Sequence, residues 1–266
     1  MNEKRASTGI HPTAIIHPGA ELADDVEVGA YAIIGDHVRI GRGTRVGDHA
    51  RVEGWTQIGE ECRIFPFAVI GSDPQDLKYR GEPTELIVGD HVMFREFATV
   101  HRGTIQGGGR TVIGARSYFM AYSHVGHDCI IGHHVIMANN VGLAGHIEIQ
   151  DYAMIGGLVG VHQFVRIGSY AMVGGFSGVA QDIPPFTLVS GDRCRLYGLN
   201  LIGLKRHGFP HEVIQALKKT YRLLFRSNLP LSKAVERVHQ EVPGFPEVER
   251  LVCFVQESRR GVCREP

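Results

Sequence analysis

The stretch VGHDCIIGHHVIMANNVGLAGHIEI, Val125 to Ile149, carries a large apolar residue at every sixth position: Val125, Ile131, Met137, Leu143 and Ile149. A period of six is neither the 3.6 of an amphipathic helix nor the 2 of a strand. It calls for short strands joined by tight corners, one inward side chain per hexad, with glycine relieving the bends. The series extends back through Phe119 to Ile113 and forward through Ile155, Val161, Ile167 and Val173 to Val179. The N-terminal part carries the same pattern on another phase. It runs through Ile10, Ile16, Leu22, Val28, Ile34, Ile40, Val46, Val52, Ile58, Ile64 and Ile70, and resumes at Val88, Phe94 and Val100. Two excursions interrupt it, 71–87 with no change of phase and 101–112 with a shift of one residue.

Three hexads close a triangular coil of 18 residues, and stacked coils spaced about 4.8 Å apart form a parallel β-helix. This repeat resembles that of the hexapeptide-repeat acyltransferases, whose β-helix is left-handed. The hand follows from the resemblance, since the general crossover rule gives the opposite one. The expected layout is an N-terminal tail at 1–9, the β-helix at 10–190 and a small α-helical domain at 191–266. Past Pro184-Pro185 the period is lost, and Pro210 opens a helical face of Val213, Ile214, Leu217, Tyr221, Leu224 and Phe225. Amphipathic runs follow near 231–240 and 246–260, with Gly261 as a stop. These helices are expected to cover the last coil, which would otherwise expose an unpaired edge.

Charge balances over the 266 residues, which gives no reason to expect nucleic acid or a membrane surface as partner. The balance is uneven. Between Asp192 and Arg226 there are eight basic residues (Arg193, Arg195, Lys205, Arg206, Lys218, Lys219, Arg222 and Arg226) against Asp192 and Glu212, a net of about +6. Five scattered cysteines without a Cys-x-x-Cys pattern fit a reduced, cytoplasmic protein with no thiolate zinc site. MNEKRASTG has no apolar stretch behind it and no run approaches 18 apolar residues, so neither export nor a membrane span is expected.

Within the opening stretch, 18-residue spacing identifies neighbours on adjacent coils. His127, Gly145 and Gln163 share one column. Asp128, His146 and Phe164 share the next, and Gly126, Ala144 and His162 the one before. Polar side chains thus line one edge over about 10 Å, with small residues leaving a notch between them. His124 lies beside it, next to inward-pointing Val125. His133 and His134 have Asp151 and Tyr152 one coil on and read as solvent-facing corner positions. Two chemistries fit the cluster. A histidine supported by a carboxylate is a general base, and three histidines on adjacent coils suit zinc, as in the hexapeptide-repeat carbonic anhydrases.

Seven further motifs bear on that choice: GSDPQDLKYRGEPTE, HRGTIQGGGRT, HVGHDC, LAGH, VHQF, GVAQDIPP and GLKRHGF. Together, from about Ile10 to the C-terminal helices, they resemble the UDP-N-acetylglucosamine 3-O-acyltransferases, which carry out the first committed step of lipid A synthesis. The resemblance implies that His127 is the general base that activates the sugar 3-hydroxyl. That hydroxyl attacks the thioester of a 3-hydroxyacyl chain on acyl-carrier protein. It implies that Asp128 orients the imidazole and that the Gly145 N–H stabilises the oxyanion, with no covalent enzyme intermediate, no cofactor and no metal. Cys129 then reads as an inward packing residue. The nucleotide-sugar contacts fall on Gln75, Asp76, Lys78, His124, His146, His162, Gln163, Asn200 and Arg206. A diphosphate suits lysine and arginine, and sugar hydroxyls suit the rest. The resemblance further implies a homotrimer with the cleft between neighbouring β-helices. The basic segment over 192–226 reads first as a solvated helical face, with docking of the acidic carrier protein as the alternative.

Two positions depart from the family pattern. Ile202 stands where an acidic nucleotide contact is expected, and Arg193 where some members have a histidine at the end of the acyl groove. Gly175 has no side chain to obstruct that groove. The motifs accommodate a 3-amino as well as a 3-hydroxyl acceptor. The sister N-acyltransferases carry an additional N-terminal nucleotide-binding domain, for which hexads beginning at Ile10 leave no room.

Overall fold

The protein is described from a computed structural model covering residues 9–242 and 244–265; the tail expected over 1–9 lies, except for Gly9, outside the described residues. Strands mostly two residues long stack into three sheets. The first sheet runs from Ile15–Ile16 to Gly178–Val179, the second from Glu21–Leu22 to Arg166–Ile167, and the third from Glu27–Val28 to Thr187–Ser190. Pairing between successive coils is parallel and, outside the excursions, in 18-residue register, as in His124↔Gly142↔Gly160↔Gly178, until the last coil, where Met172 pairs with Leu188. The result is a left-handed parallel β-helix with a triangular cross-section. The hexad aliphatics fill its interior, and Ile34, Val52, Ile70, Val100, Leu143 and Val173 are at most 1% exposed.

The corners correct one expectation. Glycine was expected to relieve the bends, yet the left-handed corner residue is usually not glycine: Tyr31, His49, Phe67, Phe97, Tyr122, Asp128 and His146 all have φ between 55° and 63°. That conformation costs an L-residue about 1–2 kcal/mol. Ring stacking between coils helps to offset the cost. Along one corner Tyr31, His49, Phe67, Phe97 and Tyr122 stack at 4.8 to 5.2 Å. The glycine that often follows an inward aliphatic answers a different need, close approach of the next coil. A Cβ on Gly114 would lie 2.5 Å from the carbonyl group of Gly132.

The third sheet ends with the antiparallel strand Arg195–Leu199. Helices α1 (Leu201–Arg206), α2 (His211–Phe225), α3 (Leu231–Glu241) and α4 (Pro246–Glu257) follow. Their apolar faces form a second core around Leu217, Val238, Val248 and Leu251, and this core packs on Phe186 at the end of the β-helix. The chain then returns to that end, where Val262 bridges Asp182. Helix α1 has no counterpart among the expected elements, because six residues are too few to show a period. Asn200 caps it, accepting the Gly203 N–H at 3.0 Å.

Candidate active site

His127 and Asp128 occupy the corner between the first and second sheets. Asp128 takes the left-handed conformation, φ 59°, which turns its carboxylate back toward the preceding imidazole. His127 Nδ1 lies 2.7 Å from Asp128 Oδ2. The Nδ1–Cε1–Nε2 side of the ring lies over Gly145, where a Cβ would come within 2.5 Å of Cε1 and 2.7 Å of Nε2. Only glycine leaves room for the imidazole in this orientation. Gly145 is buried. Among the described residues its N–H donates to no protein acceptor, which leaves a donor beside the base.

The second excursion fixes Asp128. Its carboxylate accepts the Thr104 N–H at 2.8 Å and the Thr104 hydroxyl at 2.7 Å, while the Asp128 N–H donates to Thr111 Oγ1 at 2.8 Å. The short 3-10 turn Ile105–Gly107 closes over the group, and any Cβ on Gly107 would overlap the carboxylate. Asp128 is thereby sealed from solvent, its side chain 0% exposed. An acceptor-rich carboxylate held in this way fixes one edge of the histidine and leaves the other for chemistry.

Other histidines surround the pair. The His146 ring meets His127 edge-on at 5.0 Å and stacks on Phe164 at 4.6 Å, with Nδ1 3.8 Å from Asp128 Oδ2. Burial holds its pKa below the ordinary imidazole value, with the charges of Asp128, His127 and Asp76 acting after it. His124 Nδ1 sits 2.8 Å from Thr99 Oγ1, and its pKa is lowered by burial and then by His127. His101 packs edge-on against His124 at 5.0 Å. Burial foremost, then His124 and His127, pushes His101 down to about 4.

His162 and Gln163 lie exposed two coils beyond the His127 corner. His162 Nδ1 is 3.1 Å from the Gln163 carbonyl and 3.3 Å from Arg260 Nη2. This bears on the zinc reading. His127, Asp128 and His146 offer ligand atoms within 4.8 Å of one another, but His162, the third histidine of that reading, is not in the group. Asp128 Oδ2 already serves His127 and the Thr104 hydroxyl, so the cluster is arranged as a hydrogen-bond network.

Beside the base runs a trough of about 820 Å³ on the first sheet, floored by Gly142, Gly160 and Gly178 and walled by His124, His162 and Arg193. Three glycines in one outward column leave a smooth apolar channel. Arg193 lines it; Gly175 lies instead on the neighbouring corner against Gly157. Gln75, Asp76 and Lys78 sit in the first excursion, where Asp76 Oδ1 accepts the Lys78 N–H at 2.9 Å. Asn200, Arg206 and exposed Ile202 lie elsewhere. Asn200 Nδ2 donates to the Tyr170 carbonyl at 3.0 Å, on the corner between the second and third sheets. A single chain therefore does not gather every expected contact at one corner.

His133 and His134 are tied to neighbouring coils. His133 Nδ1 accepts the Ala115 N–H at 3.0 Å, and His134 stacks on Tyr152 at 4.5 Å. Cys129 points inward, fully buried, and burial pushes its thiol up to about 12.

Residues 182–263 match the family described as UDP N-acetylglucosamine O-acyltransferase, domain 2, and residues 7–42 and 110–145 match the bacterial transferase hexapeptide repeat. An acyl-(acyl-carrier-protein)–UDP-N-acetylglucosamine O-acyltransferase of Thermodesulfovibrio yellowstonii is 55% identical over 255 residues, 96% of this chain and 99% of its own. The chain belongs to the UDP-N-acetylglucosamine O-acyltransferase family. A solved UDP-N-acetylglucosamine O-acyltransferase from Moraxella catarrhalis is 42% identical, with TM-score 0.93 over 96% of this chain and 100% of its own. The Arabidopsis UDP-N-acetylglucosamine acyltransferase is 36% identical, with TM-score 0.84 over 96% and 100%. In this member of the acyltransferase family, sequence reasoning missed Thr104, Thr111, Gly107 and Arg102, all within or beside the second excursion. It also missed the trough, whose signal was the 18-residue spacing of Gly142, Gly160 and Gly178.

Proposed function

We propose that the chain transfers a 3-hydroxyacyl group from the thioester of acyl-carrier protein to the 3-hydroxyl of UDP-N-acetylglucosamine, the first step of lipid A biosynthesis. The observation that carries the mechanism is the buried His127–Asp128 pair packed on Gly145, whose N–H has no protein acceptor among the described residues. His127 Nε2 removes the hydroxyl proton as the oxygen attacks the thioester carbonyl. The Gly145 N–H receives the developing oxyanion. Asp128 supports the imidazolium that results. Collapse breaks the C–S bond, and the departing thiolate takes the proton from His127. The substrate is the nucleophile, and buried Cys129 takes no part.

The glycine-floored trough receives the acyl chain, with Arg193 at its wall and Gly175 on the adjoining corner. Gln75, Asp76, Lys78, His124, His146, His162 and Gln163 hold the nucleotide sugar on one chain. Asn200 and Arg206 lie at a different corner, which supports completion of the site by a second copy in a homotrimer. Five free thiols and the absence of a helix long and apolar enough to cross a membrane, among the described residues, support a cytoplasmic location. Incubation with UDP-N-acetylglucosamine and carrier thioesters of several chain lengths tests this reading. Formation of a 3-O-acyl sugar nucleotide is expected; carrier thioester that stays intact contradicts it. A trimer mass by light scattering tests the assembly.

A further inference from the structure

Arg102 is a buried cation that the proposed chemistry does not use. Its side chain is 5% exposed, whereas most arginines of the β-helix stand outside. Burying a guanidinium is costly unless its donors are matched, so its partners indicate its task. Nη1 donates to the Gly71 carbonyl, and Nη2 to Asp73 Oδ1 and, at 3.0 Å, to the Tyr79 hydroxyl. The Arg102 N–H donates to the Ser72 carbonyl at 3.0 Å. All of these partners lie at the entry to, or within, the first excursion.

The surroundings are shaped to admit this group. A Cβ on Gly54, φ 66°, would overlap the guanidinium, and the Trp55 ring lies 5.6 Å from Cζ. Tyr79 in turn donates to the Glu82 carbonyl at 2.7 Å, so the clamp reaches across the loop that carries Gln75, Asp76 and Lys78. Two residues along the chain, Thr104 grips the Asp128 carboxylate. One short segment thus holds the sugar-binding loop at one end and the support of the base at the other.

We infer that Arg102 is a positioning residue that fixes the 73–79 loop for the nucleotide sugar, acting on substrate affinity while Thr104 acts on the base. This rests on the reading of that loop as a nucleotide-sugar contact. Lysine at 102 keeps the charge but cannot reach the three acceptors as the planar fork does.

The experiment measures kcat and both KM values for Arg102→Lys, Tyr79→Phe and Lys78→Ala. Lys78→Ala checks the underlying reading and should raise KM for UDP-N-acetylglucosamine. Arg102→Lys should raise that KM about tenfold or more, as expected for loss of charge-assisted hydrogen bonds, and leave KM for acyl-carrier protein within about twofold. Tyr79→Phe, which removes one contact at the loop rim, should produce a smaller rise of the same kind. An Arg102→Lys enzyme with an unchanged sugar KM, while Lys78→Ala raises it, overturns the inference alone. No effect from Lys78→Ala overturns the reading of the loop. Should Arg102→Lys fail to fold, Tyr79→Phe decides: equal changes in both KM values, or none, contradict the positioning role.

Discussion

His127 Nδ1 and Asp128 Oδ2 lie 2.7 Å apart across a left-handed corner, and the same carboxylate accepts two hydrogen bonds from Thr104. Replacing Asp128 by Asn keeps the shape but removes the charge that supports the imidazolium. A loss in kcat of about tenfold or more, smaller than that of His127→Ala, is expected. Full activity in Asp128→Asn would contradict the division of labour.

Gly145 offers a separate test. A methyl group there would stand 2.5 Å from His127 Cε1 and turn the ring away from its working position. Gly145→Ala should lower kcat about tenfold or more while the thermal unfolding midpoint moves little, because misplacement of a catalytic group costs rate first. Unchanged turnover would place the working edge of His127 elsewhere.

Metal dependence separates the two chemistries open to the histidine cluster. Activity should survive exhaustive chelation. Zinc near one equivalent per chain, with activity restored only by metal, would contradict the general-base role.

Acid stability follows from the buried histidines. His101, driven down to about 4 mainly by burial, takes up its proton more readily in the unfolded chain, whose imidazole titrates near about 6.5. Its contribution is present above about 6.5 and is lost as pH falls toward 4, and the lowered His124 acts in the same sense. His101→Gln should therefore flatten the decline of the unfolding midpoint between pH 7 and pH 5. An identical slope in wild type and variant would contradict this origin.

Docking of the acidic carrier protein on the basic face of α2 is a proposal with its own test. Lys219 pairs with Glu241 and Arg226 with Glu265, whereas Lys218 and Arg222 flank a shallow pocket beside Tyr221. Charge reversal at Lys218 and Arg222 should raise KM for acyl-carrier protein and spare that for the sugar, with added salt reducing the difference. Equal effects on both substrates would indicate a folding role.

The fold was legible because one aliphatic residue per hexad leaves no other solution, and because 18-residue columns put His127, Gly145 and His146 together from the sequence alone. What the repeat could not reveal came from outside its phase. Thr104 and Arg102 belong to an excursion, and no periodicity says which coil an excursion folds back upon. The corner glycines differ from expectation for a physical reason: bends and close approach both select glycine, and only the backbone φ separates them. Gly142, Gly160 and Gly178 precede the inward aliphatic instead of following it, and carried no expectation, although they floor the trough.

The most direct measurement is the turnover of His127→Ala beside its binding of UDP-N-acetylglucosamine, with His133→Ala as control. A general base contributes about 10²–10⁴ in rate, roughly 3–5 kcal/mol of barrier. A fall in kcat of at least about a hundredfold, with sugar affinity nearly unchanged and His133→Ala nearly silent, is the expected result. Most of the turnover surviving in His127→Ala, or an equal loss in His133→Ala, would contradict the assignment of the base.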